Sequence, residues 1–254
     1  MRGFGAFMRK EFAEIIRTWR IWVLPGIVLF FAISGPVIAE FTPELLKSVA
    51  ADQPGVVFEF PEPSYVDSYL QWTKNLAQIV TFAVIIIFGG IVSAERKSGT
   101  AILVLTKPVT RPAFVAAKFV SQAVMLAVTV AVGAVVTWGI TAAIFGEAPF
   151  APLAEATGAW LVFGVMFLAV MTLLSVMVNS QAGAAGTGLA VFLVLSILTL
   201  WGPALDYSPA GLVNMPTDLV LGEAADTLWP LVTGALLGAG AVIAAAFGFK
   251  KAEL

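Results

Sequence analysis

Few residues in this 254-residue chain are able to make or break bonds. Histidine and cysteine are both absent, which removes the commonest general base, the commonest metal ligand, thiolate chemistry and any disulfide framework. No G-x-x-x-x-G-K-[ST] phosphate loop occurs, so the chain carries no such ATP site of its own. Gly183, Gly186 and Gly188 lack the following lysine and the preceding strand, and read as close helix packing; Gly234, Gly238 and Gly240 read the same way. What remains is one charged stretch, Glu95–Phe119, ERKSGTAILVLTKPVTRPAFVAAKF. Glu95, Arg96 and Lys97 precede an apolar run, Ala101–Leu105, and Lys107, Arg111 and Lys118 follow it. An apolar ridge with a charged rim is suited to docking in a groove on a partner, not to covalent chemistry. Ser98 is placed to cap a short helix over 99–106, Pro108 to end it, and Thr110 with Pro112 to start the next one.

The elements that must position this stretch are membrane helices. Hydrophobic residues make up 59% of the chain and charged residues 12%, about half the charge of a soluble domain at about 25%. The apolar residues gather in blocks of about 20, the length that crosses a hydrocarbon core of ~30 Å. They are apolar on every face, which fits helices and not the alternation of a β-barrel. The fold class is therefore an all-α polytopic membrane protein with six spans, at about 21–39, 76–94, 113–145, 159–178, 185–203 and 229–249. The 113–145 block exceeds one straight crossing, so its first turns, with Lys118, are expected at the interface. Before the first span, residues 1–20 form an amphipathic helix. Phe4, Phe7, Met8, Phe12, Ile16 and Trp19 share one face at 3–4 spacing, with basic residues around the rest, the pattern of an interfacial helix. Segments 40–75 and 204–228 are polar connections, Glu147 and Glu155 fall in a short acidic loop, and 179–188 is a small-residue turn. Tyr65, Tyr69 and Trp72 read as an interfacial aromatic belt.

Charge fixes the orientation. With six crossings and both termini inside, twelve of the 14 basic residues are cytoplasmic, as the positive-inside rule requires. No Asp, Glu, Lys or Arg falls in a span core; Glu40, Lys74, Glu95 and Lys118 sit at span ends. Ion-coupled carriers usually keep an ionisable residue at membrane depth, and an intramembrane metalloprotease needs ligands there. Uphill transport would then draw its energy from a partner. Ser121, Gln122, Thr129, Thr137, Thr141, Thr172, Ser175 and Ser196 are candidates for lining a path. The seven methionines are scattered and read as filler.

The order E-x-x-x-G-T, an apolar run, P-V-T-R and a later Lys-Phe is carried by Glu95, Gly99, Thr100, Pro108, Val109, Thr110, Arg111, Lys118 and Phe119. It resembles the permeases of the ABC type-2 exporter family, closest to the subgroup of copper-enzyme-maturation, sodium and drug exporter permeases. The N-terminal helix resembles that family's elbow. Asn214 and Pro216, separated by Met215, loosely match an Asn-Pro element before the last span.

The resemblance implies a permease subunit in a prokaryotic cell (inner) membrane. It implies pairing with a second protomer, identical or not, and two separate ATP-binding-cassette subunits. The path would form between the protomers, and loop 95–112 would supply the coupling helix. Glu95, Arg96, Lys97, Gly99, Thr100, Leu103, Leu105, Lys107, Pro108 and Arg111 would form the ATPase-coupling interface. The chain itself would bind no metal or cofactor and no nucleic acid, with ATP and Mg held by the partner. Segment 204–228 would form a re-entrant helical hairpin, and 40–75, longer than in the smallest members, a lid or an extracytoplasmic docking site. The rival readings are a non-transporting membrane anchor or assembly factor, and an ion-coupled secondary carrier.

Overall fold

The computed structural model describes residues 4–50, 62–100, 110–223 and 227–251. All regular elements among them are helical: α1 (Phe4–Arg17), α2 (Arg20–Ala50), α3 (Tyr65–Asn75), a π turn (Leu76–Val80), α4 (Thr81–Phe88), α5 (Ser93–Lys97), α6 (Arg111–Phe145), α7 (Phe150–Met177), α8 (Gln181–Leu198), α9 (Gly202–Tyr207), α10 (Gly211–Leu221) and α11 (Leu228–Lys251). Six stretches are long and apolar enough to cross a membrane: Ile21–Leu45, Tyr65–Lys97, Arg111–Phe145, Phe150–Met177, Gln181–Leu198 and Leu228–Lys250. The protein is a multi-pass membrane protein.

α7 is the hub, packing against α4, α6, α8, α10 and α11. In its most apolar window 67% of residues are buried within the protein, against 28% for the first span and 22% for α8 and for α11. The last three therefore lie on the perimeter. The buried face of α7 carries Trp160, Phe163, Phe167 and Met171, and at Gly133 of α6 an added Cβ would stand 2.6 Å from Trp72 and from Val28. Only glycine lets α2, α3 and α6 approach so closely.

Several boundaries differ from those expected. The helical stretch that carries the second apolar block begins at Tyr65, ahead of the block expected from about 76. Residues 65–75 look polar in sequence, but their polar groups find partners inside the bundle. Ser68 Oγ lies 2.6 Å from Thr141 Oγ1, the Tyr69 hydroxyl donates to the Pro149 carbonyl, and Trp72 Nε1 donates to Thr157 Oγ1 at 3.1 Å. Tyr69 and Trp72 are consequently buried and form no lipid-facing belt. The exposed Trp and Tyr residues include Trp19 just before α2, Trp22 in its first turn, and Trp201, Tyr207 and Trp229 around α9, suited to the two membrane interfaces.

α7 starts at Phe150, so Glu155 is helical and the loop shrinks to Gly146–Pro149. α8 starts at Gln181, its N-terminus capped by Ser180 Oγ, which accepts from Gly183 N. α6 is one helix of 35 residues. α2 runs unbroken past Glu40 to Ala50 although Pro25, Pro36 and Pro43 lie inside it. Residues 202–221 carry two short helices, α9 and α10, with α10 packed on α3 and α7.

Candidate functional site

The base of the charged loop is built where the second crossing breaks. After α4 the chain turns through Gly89–Val92 and restarts as α5. An interrupted helix leaves backbone N–H and C=O groups without partners, and side chains from other spans supply them. Ser175 Oγ of α7 accepts from both Val92 N and Ser93 N at 3.0 Å. Gln181 Nε2 of α8 donates to the Ile86 carbonyl at 3.0 Å. An added Cβ at Gly89 would lie 2.9 Å from the Gln181 carbonyl oxygen, so the break is pressed against α8. α5 then ends at Gly99, whose φ of +73° places it in the left-handed region that glycine occupies without strain. The Ser98 and Thr100 hydroxyls both donate to the Glu95 carbonyl, at 3.2 and 3.3 Å. Ser98 thus closes α5, and residues 101–106 of the short helix expected after it lie outside the described residues. Across the loop, Thr110 Oγ1 accepts from Ala113 N and Pro112 occupies the first turn of α6.

Two arginines of the motif tie these two ends to other helices. Arg96 donates to the Val176 carbonyl at 2.9 Å, at the C-terminus of α7. Arg111 donates to the Phe249 and Lys250 carbonyls, at 3.3 and 3.0 Å, at the C-terminus of α11. A guanidinium there satisfies free carbonyls and complements the helix dipole. Phe114 of α6 is sandwiched between Phe7 of α1 and Phe249 of α11, with ring centroids 5.4 and 5.3 Å away. The N-terminal helix, both ends of the loop and the C-terminal end of the last span therefore meet at one end of the bundle.

An ion cluster locks the same place. Lys118 Nζ donates to Glu11 Oε2 at 3.0 Å and to Glu95 Oε1 at 2.5 Å. Lys118 and Glu11 are 1% and 2% exposed, and Glu95 14%. Lys118 is thus a counter-ion buried among the helices at the loop end of the bundle. Lys10 joins from the rim, paired with Glu11 and Glu14. Burial opposes the charge on Lys10, but its hydrogen bond to Glu14 and the fields of Glu11 and Glu95 outweigh it and hold the ammonium protonated well above its usual range. Carboxylate oxygens of Glu11, Glu14 and Glu95 lie within 4.8 Å of one another. With Lys10 and Lys118 already serving as their cations, the group is an ion-pair network, not a metal centre.

Of the residues the sequence singled out, Glu95, Arg96 and Arg111 are brought together with Lys118 and the α1 helix, and their heads are used within the protomer. Lys97 and Thr100 are exposed and Gly99 half-buried. Leu103, Leu105, Lys107 and Pro108 lie outside the described residues. On the elbow, Phe7 is buried, Phe4, Met8 and Phe12 are half-buried, and Ile16 and Trp19 are exposed. Glu11, Ser175 and Gln181 were missed as parts of this site, because each acts across more than 80 residues of chain. Nor do most of the candidate lining hydroxyls face a path. Ser121, Gln122, Thr129, Thr137, Thr141, Thr172 and Ser175 are buried among the helices of this protomer, where the bonded hydroxyls satisfy carbonyls, N–H groups or one another.

The comparisons agree with this architecture. The family model described as "ABC-2 family transporter protein" matches residues 6–215, from the N-terminal helix into α10. The chain is also similar to the uncharacterized transmembrane protein YxlG of Bacillus subtilis (strain 168), at 22% identity over 232 residues, covering 89% of this chain and 88% of that protein. The six spans and the family model, which takes in the elbow, the loop and the hub helix α7, lead to one conclusion: this chain belongs to the ABC-2 family of transporter proteins, as a membrane permease.

Proposed function

We propose that the chain is the translocating half of an ATP-driven exporter, in which separate ATP-binding-cassette subunits grip the segment 95–112 and drive a pair of permease protomers. The observation that carries this reading is the anchoring of the loop at both ends: Arg96 to the end of α7, and Arg111 to the end of α11. A force applied between residues 97 and 110 would reach the hub helix and the last span directly, and through Lys118 and Glu11 it would also reach the elbow. The loop end of the bundle is taken as cytoplasmic, since it gathers the basic residues. Lys97, Lys107 and Thr100 are the rim contacts, and Leu103 and Leu105 the apolar ones. Glu95, Arg96 and Arg111 stiffen the loop base. The α9–α10 pair, at the opposite end, is the outer re-entrant hairpin, and the connection between the first and second crossings is the extracytoplasmic docking segment.

The test is Leu103→Asp in the permease co-expressed with a candidate ATP-binding subunit. The variant should insert and fold normally, yet lose either co-purification with that subunit or the coupling of ATP turnover to export. Unimpaired export by Leu103→Asp would remove the lever assignment. Proton-driven export by the isolated chain would instead establish a secondary carrier.

A further inference from the structure

At the end of the bundle away from the loop, a recess of about 380 Å³ opens between the second crossing, α8 and α10. Its polar lining consists of Lys74, Gln78, Ser196 and Asn214, with Thr217 beside them. Among the described residues no carboxylate lines it and Lys74 makes no ion pair. The recess is therefore cationic, with amide donors below the charge. Its wall includes the π turn Leu76–Val80, an irregularity that occurs frequently at functional sites. The apolar side is formed by Phe82 and Phe192, edge-to-face at 5.6 Å.

Depth sharpens the reading. Lys74 lies 14 residues before Phe88, where α4 ends and the chain turns, roughly 20 Å along the helical part of the crossing. Lys74 and Gln78, one turn apart, therefore lie in the half of the second crossing away from the loop. A lysine alone at that level would simply snorkel to the headgroups. Snorkelling explains neither the exposed Gln78 amide one turn deeper nor Asn214 facing it across the recess, because an uncovered amide against lipid is costly. The volume is at the small end of ligand pockets, about 300–1,000 Å³, enough for a head group and the first part of a chain.

We propose that this recess binds the oxyanion head of an amphiphile. Lys74 supplies the charge, Gln78 and Asn214 the hydrogen bonds, and the apolar body lies on Phe82 and Phe192. The inference rests on the permease reading and names its substrate class: an anionic amphiphile entering from the membrane.

The test is binding to the purified chain without any ATP-binding subunit, so that it succeeds or fails independently of the loop experiment. The chain is placed in phosphatidylcholine nanodiscs and titrated with dodecyl phosphate, with zwitterionic dodecylphosphocholine as control. A second set of discs contains phosphatidylglycerol, and lipid retained on the protein is read by native mass spectrometry. Lys74→Gln should weaken binding about 10-fold or more, as loss of a charge-assisted hydrogen bond does, Asn214→Ala should weaken it severalfold, and Lys74→Arg should preserve most of it. Unchanged melting of all three variants excludes misfolding as the cause. Binding of dodecyl phosphate with no retained phosphatidylglycerol identifies a free amphiphile, and Lys74-dependent retention of phosphatidylglycerol identifies a membrane lipid. Equal affinity for both dodecyl probes, undiminished binding by Lys74→Gln, or no binding in either set of discs overturns the proposal.

Discussion

Lys118 Nζ lies 3.0 Å from Glu11 Oε2, and neither side chain reaches solvent. The pair joins the elbow to the third crossing 107 residues away, and the same ammonium holds Glu95 at the base of the loop. Removing one partner of a buried ion pair leaves the other charge uncompensated, which costs about 3–5 kcal/mol. Lys118→Met should therefore lower the melting temperature of the detergent-solubilised chain sharply, whereas Lys118→Met combined with Glu11→Gln should recover a large part of the loss. Fluorescence-detected melting of the single and double variants checks this. A double variant no better than the single one would mean that Lys118 contributes through Glu95 and through the Phe114 ring, 5.1 Å from its Nζ, and not through its pairing with Glu11.

Asp218, on α10 outside the spans, gives the fold a specific pH dependence. Burial, and secondarily the nearby Glu223 carboxylate, push its pKa above the ordinary 3.8. The folded state then holds this proton more tightly than the unfolded state does. The group favours folding most when protonated, and this contribution is lost as pH rises through the raised pKa. At neutral pH the ionised carboxylate opposes folding. Asp218→Asn should accordingly raise the melting temperature at pH 7, with an advantage that shrinks as the pH is brought down towards 3.8. A constant difference across that range would show that the substitution acts through something other than the charge.

Much of the architecture was legible in the sequence because bilayer physics writes it there. Blocks of about 20 apolar residues mark crossings whatever they pack against, and the Thr110–Pro112 start of α6 is a local signal. The early start of the second crossing was not legible from hydropathy, because Ser68, Tyr69 and Trp72 are polar or interfacial by type and become interior only through Thr141, Pro149 and Thr157. A local cue did exist in Ser64 and Asp67, since the Ser64 N–H donates to Asp67 Oδ2 at 2.9 Å in the pattern that opens a helix. At the loop, the motif located Glu95, Arg96 and Arg111, but their acceptors are carbonyls at the ends of α7 and α11. Carbonyls have no residue type, so no reading of side chains could name them.

The same holds for Thr137, whose role is visible only beside a proline on another helix. Pro36 has no N–H, so the Ala32 carbonyl, four residues earlier in α2, loses its helical partner. The Thr137 hydroxyl of α6 donates to that carbonyl at 3.3 Å, and both residues are fully buried. Thr137→Val keeps the shape and removes the donor. It should destabilise the fold by about 1 kcal/mol, the scale of a net hydrogen bond and of polar contacts between membrane helices. Thr172 is equally buried, but its hydroxyl donates to Leu168 of its own helix, a carbonyl with a backbone donor already available, so Thr172→Val should be close to neutral. Pro36→Ala returns an N–H to the Ala32 carbonyl and makes the Thr137 hydroxyl redundant. In that background Thr137→Val should cost little, and the difference between the two backgrounds isolates the contact as a double-mutant cycle does. Equal losses with and without Pro36 would show that Thr137 stabilises the α2–α6 contact by packing alone, and that the proline leaves no carbonyl for it to serve.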